Sequence, residues 1–330
     1  MNATLPLLPN YESILRETRN PQYLECKQTP VSFDHSMSIE MLWKIHDEAL
    51  LNKDAQTKPF HKSLLDLKIE LACRLYQSCC FCEHRCGVDR RQKTGNCGIK
   101  ESRIASEFLH FGEEPMLVPS YTVFFSGCTF HCVFCQNWDI SQRPCGAFVE
   151  PKDLATRIDQ RRRQGARNVN WVGGDPTPDL LYLLQVLNET QSSLPQVWNS
   201  NMYCSVETMK LLQGVIDVYL TDFKYGNDAC ARRLSKIDRY TPIVQRNHRL
   251  ANEHGEVIVR HLVMPHHRTC CSSPILRWIK ENIPTAVVNI MSQYQPEYQA
   301  DDYEEIAQPL SREEYLNVQH NAESLGLVLL

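Results

Sequence analysis

The stretch SGCTFHCVFCQN places three cysteines, Cys128, Cys132 and Cys135, within eight positions. Thiolate sulfur is a soft ligand that suits iron–sulfur clusters, zinc and copper(I). A structural zinc site is usually closed by four ligands, and this loop supplies three. Three thiolates on one short loop can hold three irons of a 4Fe–4S cube and leave the fourth iron open to a non-protein ligand. The plainer alternatives are a zinc site completed by His131, or ordinary core thiols.

A second set precedes it in CCFCEHRCGVDRRQKTGNCGI: Cys79, Cys82, Cys86 and Cys97, with Cys80 as a spare. Residues 79–100 carry few large apolar side chains, chiefly Phe81, Val88 and Ile99. Burial contributes about 1.5–3 kcal/mol for each, against about 1–2 kcal/mol per residue to order the segment. A metal that binds only the folded form can supply the difference. Four thiols fit a closed zinc site or a second iron–sulfur cluster, with free loop thiols as the bland reading. Structural zinc has a slight edge, because the role needed is cohesion. It predicts sulfurs roughly 3.5–4 Å apart.

These loops need a frame. The chain has 330 residues, 42% apolar and 22% charged, as expected of a globular protein with a sizeable core. Its net charge is −4, from 35 basic and 39 acidic residues. The basic runs Arg161–Arg163 and Arg232–Arg233 are short and flanked by acids, which reads as solvated helix faces rather than a nucleic-acid track. No apolar run approaches the roughly 20 residues that span a bilayer. The start, MNATLPLLPNYESILRE, has no basic leader and no apolar h-region. The expectation is a cytoplasmic protein without membrane or nucleic-acid partners. There its fifteen cysteines stay reduced and bind metal or do chemistry rather than pair. Asn-x-Thr triplets at Asn2 and Asn188 then carry no meaning for glycosylation.

Residues 1 to about 70 read as partly helical, with prolines at 6, 9, 21, 30 and 59. From about residue 120 the pattern is regular. YTVFFSG, NVNWVGG, PQVWNSN, VIDVYLTDFK, EVIVRHLVMP and AVVNIMSQ read as strands. Helical stretches follow at 151–165, 178–190 (opened by Pro178), 206–214, 227–251 and 273–283, and a last helix is capped by Ser311 and Glu314. Alternation of this kind implies parallel strands with right-handed crossovers, in a doubly wound sheet or a partial barrel. Either one gathers its ligand site at the carboxyl ends of the strands. Those ends carry the three cysteines, then GGDPTP, NSNMYCS, DFKYG, MPHHRTCC and SQYQPEY.

The spacing Cys-x3-Cys-x-aromatic-Cys (Cys128, Cys132, Phe134, Cys135) resembles the signature of the radical S-adenosylmethionine (radical SAM) superfamily. HFGEEP, FFSGCTFHCVFCQNWDIS, VIDVYLTDFKYG and IMSQYQP resemble the branch related to pyruvate formate-lyase activating enzyme, over roughly residues 79–298. The resemblance implies a (β/α)6 partial TIM barrel over 111–330, behind a helical and cysteine-rich extension over 1–110. It implies a 4Fe–4S cluster, S-adenosylmethionine chelated at the open iron, and a flavodoxin- or ferredoxin-type reductant. Reductive cleavage of the cofactor would then yield a 5′-deoxyadenosyl radical that takes a hydrogen atom from a protein, peptide or small-molecule substrate.

The resemblance also assigns a pocket. Gly173, Gly174 and Asp175 would receive the methionyl ammonium, although this chain has Asp where the family more often has Glu, which can leave recognition to backbone carbonyls. Asn199, Ser200 and Asn201 would meet the ribose or the methionyl group, Asp222 and Lys224 the carboxylate and ribose, Arg260 the ribose, and Phe134 the adenine. The bland readings are a turn, a rim salt bridge and core packing. His261, His266, His267, Cys204, Cys230, Cys270, Cys271 and Tyr294 are candidates for the substrate side, each more often structural taken singly. The rival classes are an iron–sulfur electron-transfer protein without SAM chemistry and a zinc-dependent nucleic-acid module.

Overall fold

The computed structural model describes residues 6–51, 62–143 and 145–330; Asn2 and Pro59 lie outside the described residues. A two-residue antiparallel ribbon, β1 (Pro30–Val31) with β2 (Lys62–Ser63), ties the amino-terminal helices together. The main sheet contains β3 (Ile104–His110), β4 (Ser120–Phe125), β5 (Asn168–Gly173), β6 (Gln196–Ser200), β7 (Val218–Asp222), β8 (Glu256–Leu262), β9 (Val287–Met291) and β10 (Val328–Leu329).

Strands β4 to β9 are all parallel, and each pairs with its neighbour in sequence. The order β10-β9-β8-β7-β6-β5-β4-β3 contains no reversal. A doubly wound sheet must reverse its strand order at a switch point, so the sequence-level ambiguity resolves to a partial barrel. Helices on the outside and side chains on the inside bury both faces of each strand. That is why β6, QVWNS, is buried at every position instead of alternating.

The six expected strands all form, and so do the intervening helices. Pro178 belongs to a short 3-10 turn, Thr177–Asp179, and the helix proper is Leu180–Glu189. The stretch 227–251 is two helices, Asp228–Ser235 and Tyr240–His254; Lys236 and Arg239 between them both take positive φ. Ser311 and Glu314 form the expected capping box for Arg312–Ser324. The basic runs face solvent and pair with acids: Arg162 with Glu17, Arg232 with Asp238 and Arg233 with Glu305.

Two strands of the main sheet were not foreseen. β3 pairs antiparallel with β4 at the sheet edge, so the sheet takes in residues 104–110, which the sequence reading placed in the extension. Its IASEFLH mixes apolar and polar residues and is largely half-buried, as an exposed edge permits. β10 is only two residues long.

The extension shares the barrel's core. The helix Leu64–Gln77 is opened by a Ser63–Asp66 capping box and buries Leu64, Leu65, Leu67, Leu71 and Leu75 in one cluster with Trp171 and Leu183. The amino-terminal helix Pro9–Leu15 closes the barrel floor. Leu8 and Tyr11 pack there with Leu117, Val197, Leu220, Ile258 and Val287. The amides of Asn10 and Tyr11 donate to the Glu256 carboxylate at 2.8 Å each, and Asn168 Nδ2 donates to the Tyr11 hydroxyl at 2.9 Å. Among the described residues no helix is long and apolar enough to cross a membrane. Tyr11→Ala should cost about 3–5 kcal/mol, read as a lowered denaturant midpoint. An unchanged midpoint would mean that the floor does not depend on this plug.

Candidate functional site

The cysteine loop leaves β4 and is clamped at once. Gly174 N donates to the Phe125 carbonyl at 3.0 Å and Asp175 N to the Gly127 carbonyl at 3.1 Å. A Cβ on Gly174 would lie 2.0 Å from the Gly127 carbonyl oxygen, and one on Gly173 (φ +130°) 2.1 Å from that of Phe125. No side chain fits at either position. Farther along, His131 N and Val133 N donate to the carbonyls of Ser235 and Leu234, at the end of the helix Asp228–Ser235.

The three sulfurs are met by donors. Phe130 N reaches Cys128 Sγ at 3.3 Å, Ser235 Oγ lies 2.9 Å from Cys132 Sγ, and Ser141 Oγ lies 3.2 Å from Cys135 Sγ. Burial pushes the Cys128 thiol well above its ordinary pKa, and burial with the neighbouring Cys135 pushes Cys132 up to about 12. As free thiols Cys128 and Cys132 are therefore neutral, and a metal must displace their protons to bind them. His131 takes no part: it is exposed, and its Nδ1 lies 2.6 Å from Gln142 Oε1.

All three cysteines line one cleft at the carboxyl end of the strands. Phe134, Gly173, Gly174, Asn199, Asn201, Asp222, Lys224 and Arg260 line the same cleft, along with Tyr294. Phe134 and Tyr294 stand side by side, ring centroids 5.9 Å apart. Lys224 Nζ bridges Asp222 Oδ2 at 2.6 Å. Burial depresses the lysine pKa, but the Asp222 carboxylate and the Cys132 sulfur outweigh it and the ammonium is held charged. Asn201 Nδ2 donates to Thr129 Oγ1 at 2.8 Å. Asn199 Nδ2 is buried without a hydrogen-bond partner, a costly state that a bound ligand would relieve.

Two assigned residues sit differently from expectation. Asp175 is buried beneath the cleft wall. Its carboxylate accepts from Ser200 Oγ at 2.7 Å, Asn201 N at 3.3 Å and Thr129 Oγ1 at 3.3 Å, and so ties its own loop to the two that carry Ser200–Asn201 and Thr129. The shorter Asp side chain stops there and is not among the cleft-lining residues. Arg260 reaches the cleft, but its guanidinium is largely committed. It pairs with Glu113, and Nε donates to Glu114 Oε1 at 2.7 Å. Asn289 Nδ2 donates to Glu114 Oε1 at 2.9 Å and Asn170 Nδ2 to Glu113 Oε1 at 3.0 Å. This polar layer lies between cleft and floor, and sequence reasoning missed its acids. The adjacent glutamates in HFGEEP were the only signal, and their partner is about 146 positions away.

The substrate-side candidates mostly disperse. His261 is buried away from the cleft between the Phe223 carbonyl and Ser272 Oγ, and burial pushes its pKa down to about 4. His266 is exposed, His267 Nδ1 lies 2.8 Å from the Pro265 carbonyl, and Cys204 is buried beside Asn247. Tyr294 alone stays at the cleft.

The second cysteine set lies behind the first loop. Cys79 N and O pair with Val88 and Gly87, and Cys86 and Cys97 flank Gly95. Cys97 O and Ile99 press against Gly127, and His84 Nε2 lies 2.8 Å from the Thr129 carbonyl. The spacing expected for zinc is not met: among the described residues, no three of these four sulfurs lie mutually within 4.8 Å. Arg90 is fully buried beside them, with Nη1 3.9 Å from Cys79 Sγ and its Nε and Nη2 unpartnered. Burial presses its pKa down, and Cys97, Cys79 and Asp179 more than offset this. Thiolates at Cys79 and Cys97 would add to Asp179 in balancing this buried cation.

Residues 122–269 match the sequence profile of the Radical SAM superfamily. The uncharacterised protein MJ0674 of Methanocaldococcus jannaschii is 45% identical over 98% of this chain and 99% of its own, and this chain belongs to its family. Among solved structures, SuiB of Streptococcus suis aligns at 14% identity and TM-score 0.43, over 63% of this chain and 46% of its own. The chain therefore spans about half the length of SuiB. Methylornithine synthase (PylB) aligns at 14% identity and TM-score 0.46, over 97% of this chain and 78% of its own. The radical SAM family uses a 4Fe–4S cluster and S-adenosylmethionine, and this chain carries that domain.

Gly174→Ala should unseat the cysteine loop while leaving the far barrel folded. Iron and sulfide bound after anaerobic reconstitution should fall well below wild type, with far-ultraviolet circular dichroism retained. Full loading in this variant would contradict the clamp.

Proposed function

We propose that Cys128, Cys132 and Cys135 ligate the 4Fe–4S cluster and that the adjoining cleft holds S-adenosylmethionine. One observation carries this reading: three donor-met sulfurs share a cleft with the unpartnered Asn199 amide and the Asp222–Lys224 pair. When bound, cluster and cofactor supply reductive cleavage and hydrogen-atom abstraction. The chain's own residues bind, orient and exclude water. Gly173 and Gly174 offer backbone carbonyls to the methionyl ammonium, Lys224 and Asn199 meet carboxylate and ribose, and Phe134 and Tyr294 take the adenine. Asp175 positions these groups by holding the loops of Ser200, Asn201 and Thr129. Arg260, charge-balanced by Glu113 and Glu114, closes the pocket from below.

The finer reading is an activating-enzyme-like oxidoreductase, fed by a flavodoxin- or ferredoxin-type reductant. It acts on a protein, peptide or small molecule at the cleft mouth. Residues 1–110 serve it as an extension that plugs the floor and backs the cluster loop. Cys79, Cys82, Cys86 and Cys97 hold a second iron–sulfur cluster in preference to zinc. The support is the wide sulfur spacing, since a cube separates its thiolates more than a single ion does, together with the buried Arg90 charge. In the variant lacking Cys128, Cys132 and Cys135, residual iron with sulfide supports this and zinc without iron overturns it.

Anaerobically reconstituted protein with dithionite should convert S-adenosylmethionine to methionine and 5′-deoxyadenosine. Cys128→Ala, Cys132→Ala and Cys135→Ala should each abolish it, and full turnover in any one of them sinks the assignment. Lys224→Ala should weaken cofactor binding by roughly ten- to more than a hundredfold, the loss of one charged hydrogen bond of about 1.5–3 kcal/mol, with bound iron unchanged. Wild-type affinity in that variant would remove Lys224 from the pocket.

A further inference from the structure

A third group of thiols lies outside the cleft. Cys230 sits on the helix Asp228–Ser235, which follows β7. Cys270 and Cys271 sit in the π-helical turn Arg268–Ser272, which follows β8. Among the described residues this is the one set of three or more such side chains whose ligand atoms all lie within 4.8 Å of one another. Cys270 Sγ is 4.0 Å from Cys230 Sγ and 3.9 Å from Cys271 Sγ. None of the three lines the cofactor cleft.

The surroundings are fixed for thiolate. Asn227 caps its helix, its Oδ1 accepting from Cys230 N at 2.8 Å. That cap turns the amide nitrogen inward. Nδ2 lies 3.3 Å from Cys230 Sγ and 3.9 Å from Cys271 Sγ, and it also donates to the Cys270 carbonyl at 2.8 Å. At Gly226 the backbone is pressed onto the turn: a Cβ there would lie 2.7 Å from the Cys270 carbonyl oxygen. The two loops are thus locked together with three sulfurs at one point.

We propose that Cys230, Cys270 and Cys271 form a binding site for a thiophilic cation, zinc(II), through three thiolates, with the fourth position open to a solvent-borne ligand. A bond near 2.3 Å and tetrahedral angles set sulfurs roughly 3.8 Å apart, which the two shorter separations match. A disulfide would bring two sulfurs to about 2.05 Å and leave the third without a role. Neither of the other two cysteine sets is this compact. Cys230 and Cys270 are half-exposed, so an ion can enter and keep a water or small anion. Binding releases the thiol protons to solvent and leaves a site of net charge −1. The ion would cross-link the loops after β7 and β8, next to the Asp222–Lys224 pair, without touching the cluster.

The test uses the full chain, first reconstituted with iron and sulfide to occupy the other cysteine sets. Zinc(II) titration against a chromophoric chelator should give one tight equivalent in wild type. Cys230→Ser and Cys271→Ala should each weaken it by more than about a hundredfold, with iron content unchanged. On the wild-type protein, zinc should slow iodoacetamide labelling of Cys230 and Cys270, read by peptide mass. That arm stands even if a variant fails to fold. Equal zinc binding in wild type and variants, unprotected labelling, or loss of iron in the variants would overturn the proposal.

Discussion

One backbone contact governs the rest of the site. Gly127 and Gly174 meet with no room for a side chain between them, and Gly173 lies equally close against Phe125. This closeness is possible only because β4 and β5 are parallel neighbours whose carboxyl ends finish side by side. The cysteine loop is therefore placed by the sheet and not by its own weak preferences. Its far end is then fixed to the helix Asp228–Ser235, which lies beyond β7. A loop held at both ends across the barrel mouth can present three sulfurs to one cleft.

Charge is handled in layers beneath that loop. At the mouth, Lys224 and Asp222 pair within the cleft wall. Below, Arg260 is neutralised by Glu113 and Glu114, with Asn170 and Asn289 satisfying remaining lone pairs. At the bottom the layer turns apolar, with Tyr11 and Leu8 as the plug. Buried ion pairs gain little net stability because desolvation offsets attraction. Their effect here is to fix one arrangement of the interior and close the cleft from below. Arg90 differs from Lys224 and Arg260: its Nη1 lies by the Cys79 sulfur, where theirs pair with carboxylates.

Much of this frame was legible in the sequence because the strands end in chemistry. Each of the six apolar runs was followed by polar or cysteine residues; those after β4, β5, β6, β7 and β9 contribute to the cleft lining, whereas MPHHRTCC after β8 does not. The edge strands were not legible: in IASEFLH the apolar and polar residues come in pairs and do not alternate, and Val328–Leu329 is too short. The local pattern also could not show side-chain direction. Asp175 was assigned to the methionyl ammonium by the family resemblance, yet its carboxylate faces the hydroxyl and amide groups beneath the wall. The Arg260–Glu114 pair joins distant segments that only the closed barrel brings together. The spread of Cys79, Cys82, Cys86 and Cys97 and the compactness of Cys230, Cys270 and Cys271 are likewise tertiary facts; the need for cohesion had given zinc a slight edge at the former, and the latter three had looked individually structural.

The central claim is that the Cys128–Cys135 loop holds a cluster whose open iron faces the cofactor cleft. Electron paramagnetic resonance of the dithionite-reduced, reconstituted protein tests it most directly, recorded with and without S-adenosylmethionine. The account predicts that the cofactor shifts the cluster signal in wild type, and that the variant lacking Cys128, Cys132 and Cys135 shows no shift while its remaining centre gives an unchanged spectrum. A wild-type spectrum indifferent to the cofactor, or a shift that survives in the triple variant, would contradict it.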